Sequence, residues 1–428
     1  MLYALRDAAT ASMVPATMWA QATSHALRGQ TGPDAFTWPS RATVAWADVA
    51  HDLLRPRGKP AWDIQQRRGA VEALREEVEL DWPFVRLIRF QPPAPSGFRV
   101  LLVAPMSGHH ATLLRGTVQD LLDAGHEVFV TDWRDASVVP LLHGDFDLDS
   151  YIETVIGFLQ YLGPDTHVVA VCQPAPAVIA AVSLMASRGD PAQPRSMTLM
   201  GGPVDTRAAP TVVSKLAQQH SIEWFERHVT ATVPPWRVGA FRRVYPGFLQ
   251  LTAFVSMNPD RHIEAHRRMF DHLVRGDEDS AAAHRQFYDE YLAVMDVTAS
   301  YYLQTIERFF QKHDLPDGRM RVRGKRVDTA AIRRTAPMTV EGELDDICAP
   351  GQTIAAQVIC SGIPASRPTD GCNTYSPAWA ITASSTAGGG GLTSCPAFRA
   401  SSLRASRPRR CRGGSGVPVD AVMGLHRG

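Results

Sequence analysis

From Phe98 onward the apolar positions alternate between two kinds of run. FRVLLVAPM is continuously apolar and ends in a turn with Pro and Gly, and ATLLRGTVQDLLDAG follows with helical spacing and a closing glycine. HEVFVTDW, HVVAVC and SMTLMGGPV repeat the strand pattern, and LDSYIETVIGFLQYLG and QPAPAVIAAVSLMASRG repeat the helical one. Strands alternating with helices at this spacing predict an α/β fold, a mostly parallel sheet with helices on both faces.

The alternation is bounded on both sides. Residues 1–90 read as helices and loops, with Leu2, Leu5, Ala9 and Met13 in a short apolar stripe that Pro15 interrupts. That stripe is read as a face docked on the main domain, with a lipid- or polymer-surface anchor as the alternative. Residues 91–208 form the first half of the core, and 209–297, rich in aromatics, Met and Pro, read as a helical cap over the carboxyl edge of the sheet. The second half spans 298–365. There YYLQTIERFFQKH is an amphipathic helix with Tyr302, Ile306 and Phe309 on one face, APMTVEGELDDI is a strand ending in an acidic turn, and GQTIAAQVICSGI is a further helix. Residues 366–428 lack any periodicity and are read as an aberrant, disordered tail.

Composition narrows the function classes. With 44 basic against 43 acidic residues the chain has no field to attract nucleic acid or an anionic membrane. No run of apolar residues is long enough to span a bilayer, and the first twenty residues lack the pattern of an export signal. The six cysteines have no metal-ligand spacing and are read as thiols of a reducing cytoplasm. Neither a metal nor an organic cofactor is expected, and oligomeric state is not readable.

The candidate chemistry sits where HVVAVC turns into a helix. Ala170-Val171-Cys172-Gln173-Pro174 has the shape of the nucleophile elbow of α/β-hydrolases, usually G-x-S-x-G, with Ala170 as the small residue and Pro174 in place of the second glycine. A buried, inert core cysteine is the competing reading. As nucleophile, Cys172 would gain from the helix N-terminus, and the backbone N–H of Gln173 would meet the oxyanion. A second donor is expected near Met106 or Ser107, in the loop after the first core strand. His109 and His110 in that loop are read as locally satisfied rather than catalytic. The acid is expected at Asp345, just past the strand MTVEG, with Asp346 second.

Several stretches together resemble the intracellular poly(3-hydroxybutyrate) depolymerase family: VAPMSGHHATLLRGTV, VTDWRDASVVP, VCQPAPAVIAAVSLMAS, MTLMGGPVDTR, VYPGFLQ, MNPDRH, FYDEYLAVMD and MTVEGELDDICAPGQT, in order, within residues 1–365. The resemblance implies an α/β-hydrolase with a Cys-Asp-His triad, acting on polyester granules in the cytoplasm. It implies Cys172 as nucleophile and Asp345 as the acid that orients the histidine. Trp224, Trp236, Tyr245 and Phe248 of the cap are candidates for a groove that receives polymer, against a bland reading as core packing.

The family's histidine, which follows the last strand in a Gly-His-Tyr-Gly context, is missing. No histidine occurs between His313 and His426, and the 63 residues from Ser366 contain ten Gly, nine Ser and eight Arg but neither Lys nor Glu. Joining the third base of each codon to the first two of the next across TYSPAWAITASSTAGGGG can spell Leu-Gln-Pro-Gly-Val-Gly-His-Tyr-Gly-Val-Phe-Asn-Gly-Arg-Arg-Trp, sixteen positions of the family's ending. The histidine codon straddles Ala380 and Ile381. This points to a shift of reading frame near residues 366–374, with a genuine extension as the alternative.

Three functions compete at this stage: a thiol-dependent polyester hydrolase, a polyhydroxyalkanoate synthase-like acyltransferase, and a granule-binding homologue without chemistry. The family stretches favour the first. The absent base makes the competence of this chain doubtful, and the missing last strand would leave a sheet edge uncovered.

Overall fold

The computed structural model describes residues 2–28, 37–55, 57–64, 75–92, 95, 97–257, 259–343 and 345–360, with the backbone of 379–381. Two helices open the chain, α1 (Leu2–Arg28) and α2 (Trp38–Leu54). Pro15 lies inside α1 without ending it, and contrary to the sequence reading the stripe Leu2, Leu5, Ala9 and Met13 is exposed; the buried positions of the helix are Tyr3, Thr17, Ala20 and Ser24. The helix is exposed on that side, where water can take the carbonyl that the proline leaves without an N–H.

Eight strands then form one sheet: β1 (Arg75–Trp82), β2 (Val85–Gln91), β3 (Arg99–Val103), β4 (Glu127–Trp133), β5 (Thr166–Val171), β6 (Ser196–Met200), β7 (Ala336–Gly342) and β8 (Trp379–Ile381). Their order is β1-β2-β4-β3-β5-β6-β7-β8. β2 runs antiparallel to both β1 and β4, and the remaining neighbours are parallel. That order with a reversed second strand is the α/β-hydrolase fold.

Two elements differ from the expectation. The hairpin β1–β2 occupies part of the segment read as helix and loop, because Val78, Leu80 and Trp82 alternate with charged residues that pair across strands, Arg89 with Glu77 and Glu79. The segment read as aperiodic contributes β8, which pairs with β7 through Val340–Trp379, Glu341–Ala380 and Gly342–Ile381, so the edge beyond β7 is taken for three residues. The rest of 366–428 lies outside the described residues, as does His426.

Every residue of β5 is buried, as a central parallel strand covered on both faces requires. Each of its valines contributes about 1.5–3 kcal/mol by burial. Helices α3 (Arg115–Asp123), α4 (Leu148–Leu162) and α5 (Ala175–Ser187) link successive strands. α4 starts at Asp147, whose carboxylate accepts the Ser150 N–H at 2.7 Å, and ends at Gly163 with φ 78°. Beneath it Trp133 stacks on Tyr151 with ring centroids 4.4 Å apart, and its indole N–H donates to the Ala104 carbonyl at 2.8 Å.

The segment inserted after β6 is largely helical: α6 (Val212–Gln219), α7 (Ile222–Val229), α8 (Gly247–Met257), α9 (Pro259–Arg275) and α10 (Glu278–Tyr291). A short antiparallel ribbon of residues 231–232, 243–245 and 297–298 ties it together. α11 (Ala299–Thr305) then returns the chain to the core and continues as a π-helical stretch over Ile306–Gln311, a widening that helical periodicity does not reveal. α12 (Ala355–Ile359) follows β7. Among the described residues no helix is long and apolar enough to cross a membrane.

Candidate active site

β5 ends at Val171 and α5 begins at Ala175, so the chain reverses within three residues. Cys172 takes φ 67°, a left-handed conformation that costs a β-carbon-bearing residue about 1–2 kcal/mol. Backbone contacts fix it there. Its N–H donates to the Met200 carbonyl at 2.6 Å, and its carbonyl accepts the Ala175 N–H at 3.1 Å. The turn carries the Cys172 side chain, half-buried, to the start of α5, with Gln173 at the helix N-terminus.

Small residues around the turn are a steric requirement. A β-carbon on Gly202 would lie 2.2 Å from the Ala175 β-carbon and 2.9 Å from the Cys172 carbonyl oxygen. Gly202 in turn donates its N–H to Thr353 Oγ1 at 2.8 Å, and that hydroxyl donates to the Gly202 carbonyl at 3.0 Å. The elbow is thereby tied to the loop after β7. Glu341, buried at the end of β7, organises that loop by accepting N–H groups of Gly351, Thr353 and Ile354 at 2.8–2.9 Å.

The same loop carries the acid. Asp345 is half-buried and Asp346 exposed. Asp345 Oδ1 accepts the N–H groups of Ile347 and Cys348, both at 2.9 Å, and Oδ2 faces Gly201, 3.4 Å from where a β-carbon there would sit. Cys348 is buried beside both groups. Burial, and after it the neighbouring Cys172 and Asp345, push its thiol well above the ordinary range. Gly202 thus lies against the Cys172 turn and Gly201 against Asp345.

Burial also lifts the Asp345 carboxyl above its ordinary range, partly offset by the Cys348 and Ile347 N–H groups. A raised folded pKa means that the native chain holds this proton more tightly than the unfolded one. The stability it contributes is therefore present at low pH and lost as pH rises from the unfolded value, about 3.9, through the raised folded one. Asp345→Asn is expected to flatten that loss and to leave the melting temperature at neutral pH no lower than the parent's. Thermal melts of both proteins across this window check it, and equal slopes would contradict it.

The loop after β3, which neighbours β5 in the sheet, holds Met106, buried, and Ser107. Gly108, at φ 100°, accepts the Met295 N–H at 2.7 Å, so the cap clamps the loop in place. His109 Nε2 meets the Tyr291 carbonyl at 3.0 Å, as a locally satisfied histidine would, whereas His110 Nδ1 is buried with no hydrogen-bond partner among the described residues, contrary to that reading. Burial pushes both imidazoles down to about 4, which keeps them neutral near pH 7. The hydrogen bonds to the Asp345 carboxylate given above come from backbone.

The four aromatic candidates have different immediate neighbours, with Trp224 and Tyr245 linked through Phe225 and Tyr302. Trp224 stacks between His220 and His228, Tyr245 packs on Tyr302 at 4.0 Å, and Phe248 meets Tyr3 of α1 edge-on at 5.8 Å. Trp236 is exposed. The residue that touches the elbow from outside is Tyr301, whose hydroxyl donates to Gln173 Oε1 at 2.7 Å. Sequence reasoning missed it along with Gly202, Glu341 and Thr353. Only the acid within an otherwise apolar strand offered a signal, at Glu341.

No curated protein sequence matches the chain significantly. Among solved structures it resembles a monoacylglycerol lipase from Paleococcus ferrophilus (TM-score 0.35, 12% identity, 64% of this chain and 82% of that one). It also resembles a bromoperoxidase from Bacillus anthracis (TM-score 0.36, 12% identity, 68% and 88%). Carboxyl esterase 2 from the fungus Tuber melanosporum gives a TM-score of 0.35 at 13% identity, covering 80% and 83%. Against one Staphylococcus aureus structure the chain spans 60% of that chain's length. At these scores the fold assignment rests on the strand order itself. Residues 201–378 match the family described as PHB de-polymerase C-terminus, a span that takes in Gly202, the cap and the Asp345 turn and begins after Cys172. The chain is thus an α/β-hydrolase by its strand order, and over residues 201–378 it is similar to the PHB de-polymerase C-terminus.

Proposed function

We propose that the chain derives from a thiol-dependent hydrolase of poly(3-hydroxybutyrate) stored as cytoplasmic granules. The observation that carries this is Cys172 at φ 67° on a strand-to-helix turn, a strained position with no structural advantage for an inert cysteine. The Cys172 thiolate attacks the ester carbonyl carbon. The oxyanion is met by the Gln173 N–H and by a second backbone N–H near Met106 or Ser107. Collapse expels the alcohol end of the polymer, which takes up a proton, and leaves a thioester that water hydrolyses to the acid. Asp345 orients the base that moves those protons.

That base is absent from the sequence as given, and we attribute the loss to a shift of reading frame near residues 366–374. Two independent features support this. The alternative frame puts the histidine codon across Ala380 and Ile381, and Ile381 pairs with Gly342, three residues before Asp345. A histidine encoded there would fall at the end of the β8 span, level with Gly342 and three residues before Asp345. In the frame given, the second reading is a polymer-binding protein without turnover.

Incubation with amorphous poly(3-hydroxybutyrate) particles separates the readings. A frame-restored chain is expected to release soluble 3-hydroxybutyrate oligomers, and Cys172→Ala to abolish release. Release that survives Cys172→Ala would overturn the assignment of the nucleophile. Polymer growth from the coenzyme A thioester would mark a synthase instead.

A further inference from the structure

Two turns of the molecule expose apolar side chains side by side. Val138, Leu141 and Leu142 lie on the segment after β4, and Trp236, Val238 and Phe241 on a loop of the cap; they range from 50% exposed at Leu141 to 83% at Leu142. The turns are bonded to each other. The Gly239 N–H donates to the Ser137 carbonyl at 2.8 Å, in a contact so close that a β-carbon on Gly239 would sit 2.7 Å from the Ala136 and Ser137 carbonyl oxygens. The buried Arg242 guanidinium donates to the carbonyls of Val139, Pro140 and Gly144.

Backbone bonds hold the display in place around a strained residue. Phe241 adopts φ 68°, an outlier for a bulky residue, with its ring 64% exposed rather than tucked into the core. Reciprocal backbone bonds at 2.9 Å, Val233 N–H to Arg242 and Phe241 N–H to Val233, close the loop around it. Soluble chains rarely expose large apolar groups together without a partner.

We propose that this face is the docking surface for a solid, uncharged polyester. The choice of polyester rests on the hydrolase reading above; the choice of an uncharged apolar surface rests on the patch. Within residues 136–144 and 233–241 the one formally charged side chain is Arg237, which is paired with Asp7 at 3.1 Å and lies over the Tyr3 ring. An anionic bilayer would call for lysines and arginines facing outward, and a peptide ligand for a groove rather than two turns. The face also lies at the reacting edge of the sheet, since residues 136–144 follow the carboxyl end of β4 as Cys172 follows that of β5. From there Phe146 packs on Tyr301, ring centroids 6.4 Å apart, and Tyr301 holds Gln173. Docking here sets polymer against the mouth of the site.

The test is co-sedimentation of the full chain with amorphous poly(3-hydroxybutyrate) particles and with neutral and anionic phospholipid vesicles. The parent is compared with the pair Leu141→Ser, Leu142→Ser and, independently, with Val138→Ser, Val238→Ser. Both pairs are expected to sediment with polymer at least tenfold less than the parent, with unchanged melting temperature and unchanged acylation of Cys172 by a soluble p-nitrophenyl ester. Undiminished sedimentation of both pairs would overturn the proposal, as would a parent that sediments with anionic vesicles and not with polymer. Conversion of a parental dimer to monomers without loss of polymer binding would overturn it too, by marking a self-interface. Patch-dependent polymer binding by a chain whose Cys172 is never acylated would sustain the docking surface while removing the hydrolase reading.

Discussion

Reading the gene in the frame that restores Gly-His-Tyr-Gly is expected to raise ester turnover on the order of ten-thousand- to a million-fold over the chain as given. An unassisted cysteine is only a few per cent thiolate at pH 7, and nothing then protonates the departing alkoxide or activates the water that must cleave the thioester. A histidine beside Asp345 performs all three transfers, and the carboxylate stabilises the imidazolium formed when the ring takes the proton of the thiol or of water. The gain should appear with soluble p-nitrophenyl esters and with polymer alike, because it belongs to the chemical step. A restored chain that gains less than about tenfold would show that the missing base is not what limits this protein.

Gly202→Ala is expected to be the most damaging single-methyl change near the site. The added carbon would sit 2.2 Å from the Ala175 β-carbon and 2.9 Å from the Cys172 carbonyl oxygen, and no rotation can move it away. The start of α5 or the end of β6 must shift, for a loss of about 2–3 kcal/mol and a drop of roughly 5 °C in melting temperature. The shift moves the Cys172 backbone as well, so acylation should slow by about a hundredfold, the penalty of an ångström-scale misplacement. Gly116→Ala is the matching control. It lies in α3 with nothing within 4 Å of the new carbon, and should be neutral or stabilise by up to about 1 kcal/mol. Similar melting temperatures for the two variants would contradict this reading of the elbow.

What the sequence disclosed follows from which interactions are local. β3 to β6 and their helices were legible because central parallel strands are continuously apolar and the crossover helices carry capping residues such as Asp147 and Gly163. The hairpin β1–β2 was overlooked because its period-2 signal is diluted by charges that the sheet pairs across strands. Cys172 was legible from its position at the corner, but its positive φ is a property of the Met200 and Ala175 hydrogen bonds, which join distant segments. Asp345 and Asp346 are neighbours that the sequence ranks only by their distance from the strand. Burial against Gly201 and the N–H groups of Ile347 and Cys348 distinguish them. The grouping of Tyr301, Thr353 and Glu341 about the elbow depends wholly on tertiary packing, and no pattern along the chain encodes it.

The central claim is that Cys172 is a nucleophile, and the absent base makes it directly observable. A p-nitrophenyl ester has a leaving group good enough to acylate the small thiolate fraction, whereas hydrolysis of the resulting thioester needs water activated by a base. The acyl-enzyme should therefore accumulate. Competition from the other described thiols is small, since Cys348 and Cys360 are buried and burial pushes the Cys360 thiol up to about 12. Intact-mass spectrometry followed by peptide mapping is the measurement. The account predicts one stable acyl group per chain, on the peptide carrying Cys172 and lost in Cys172→Ala. A folded chain that stays unmodified at Cys172, or that carries the acyl group elsewhere, would contradict it.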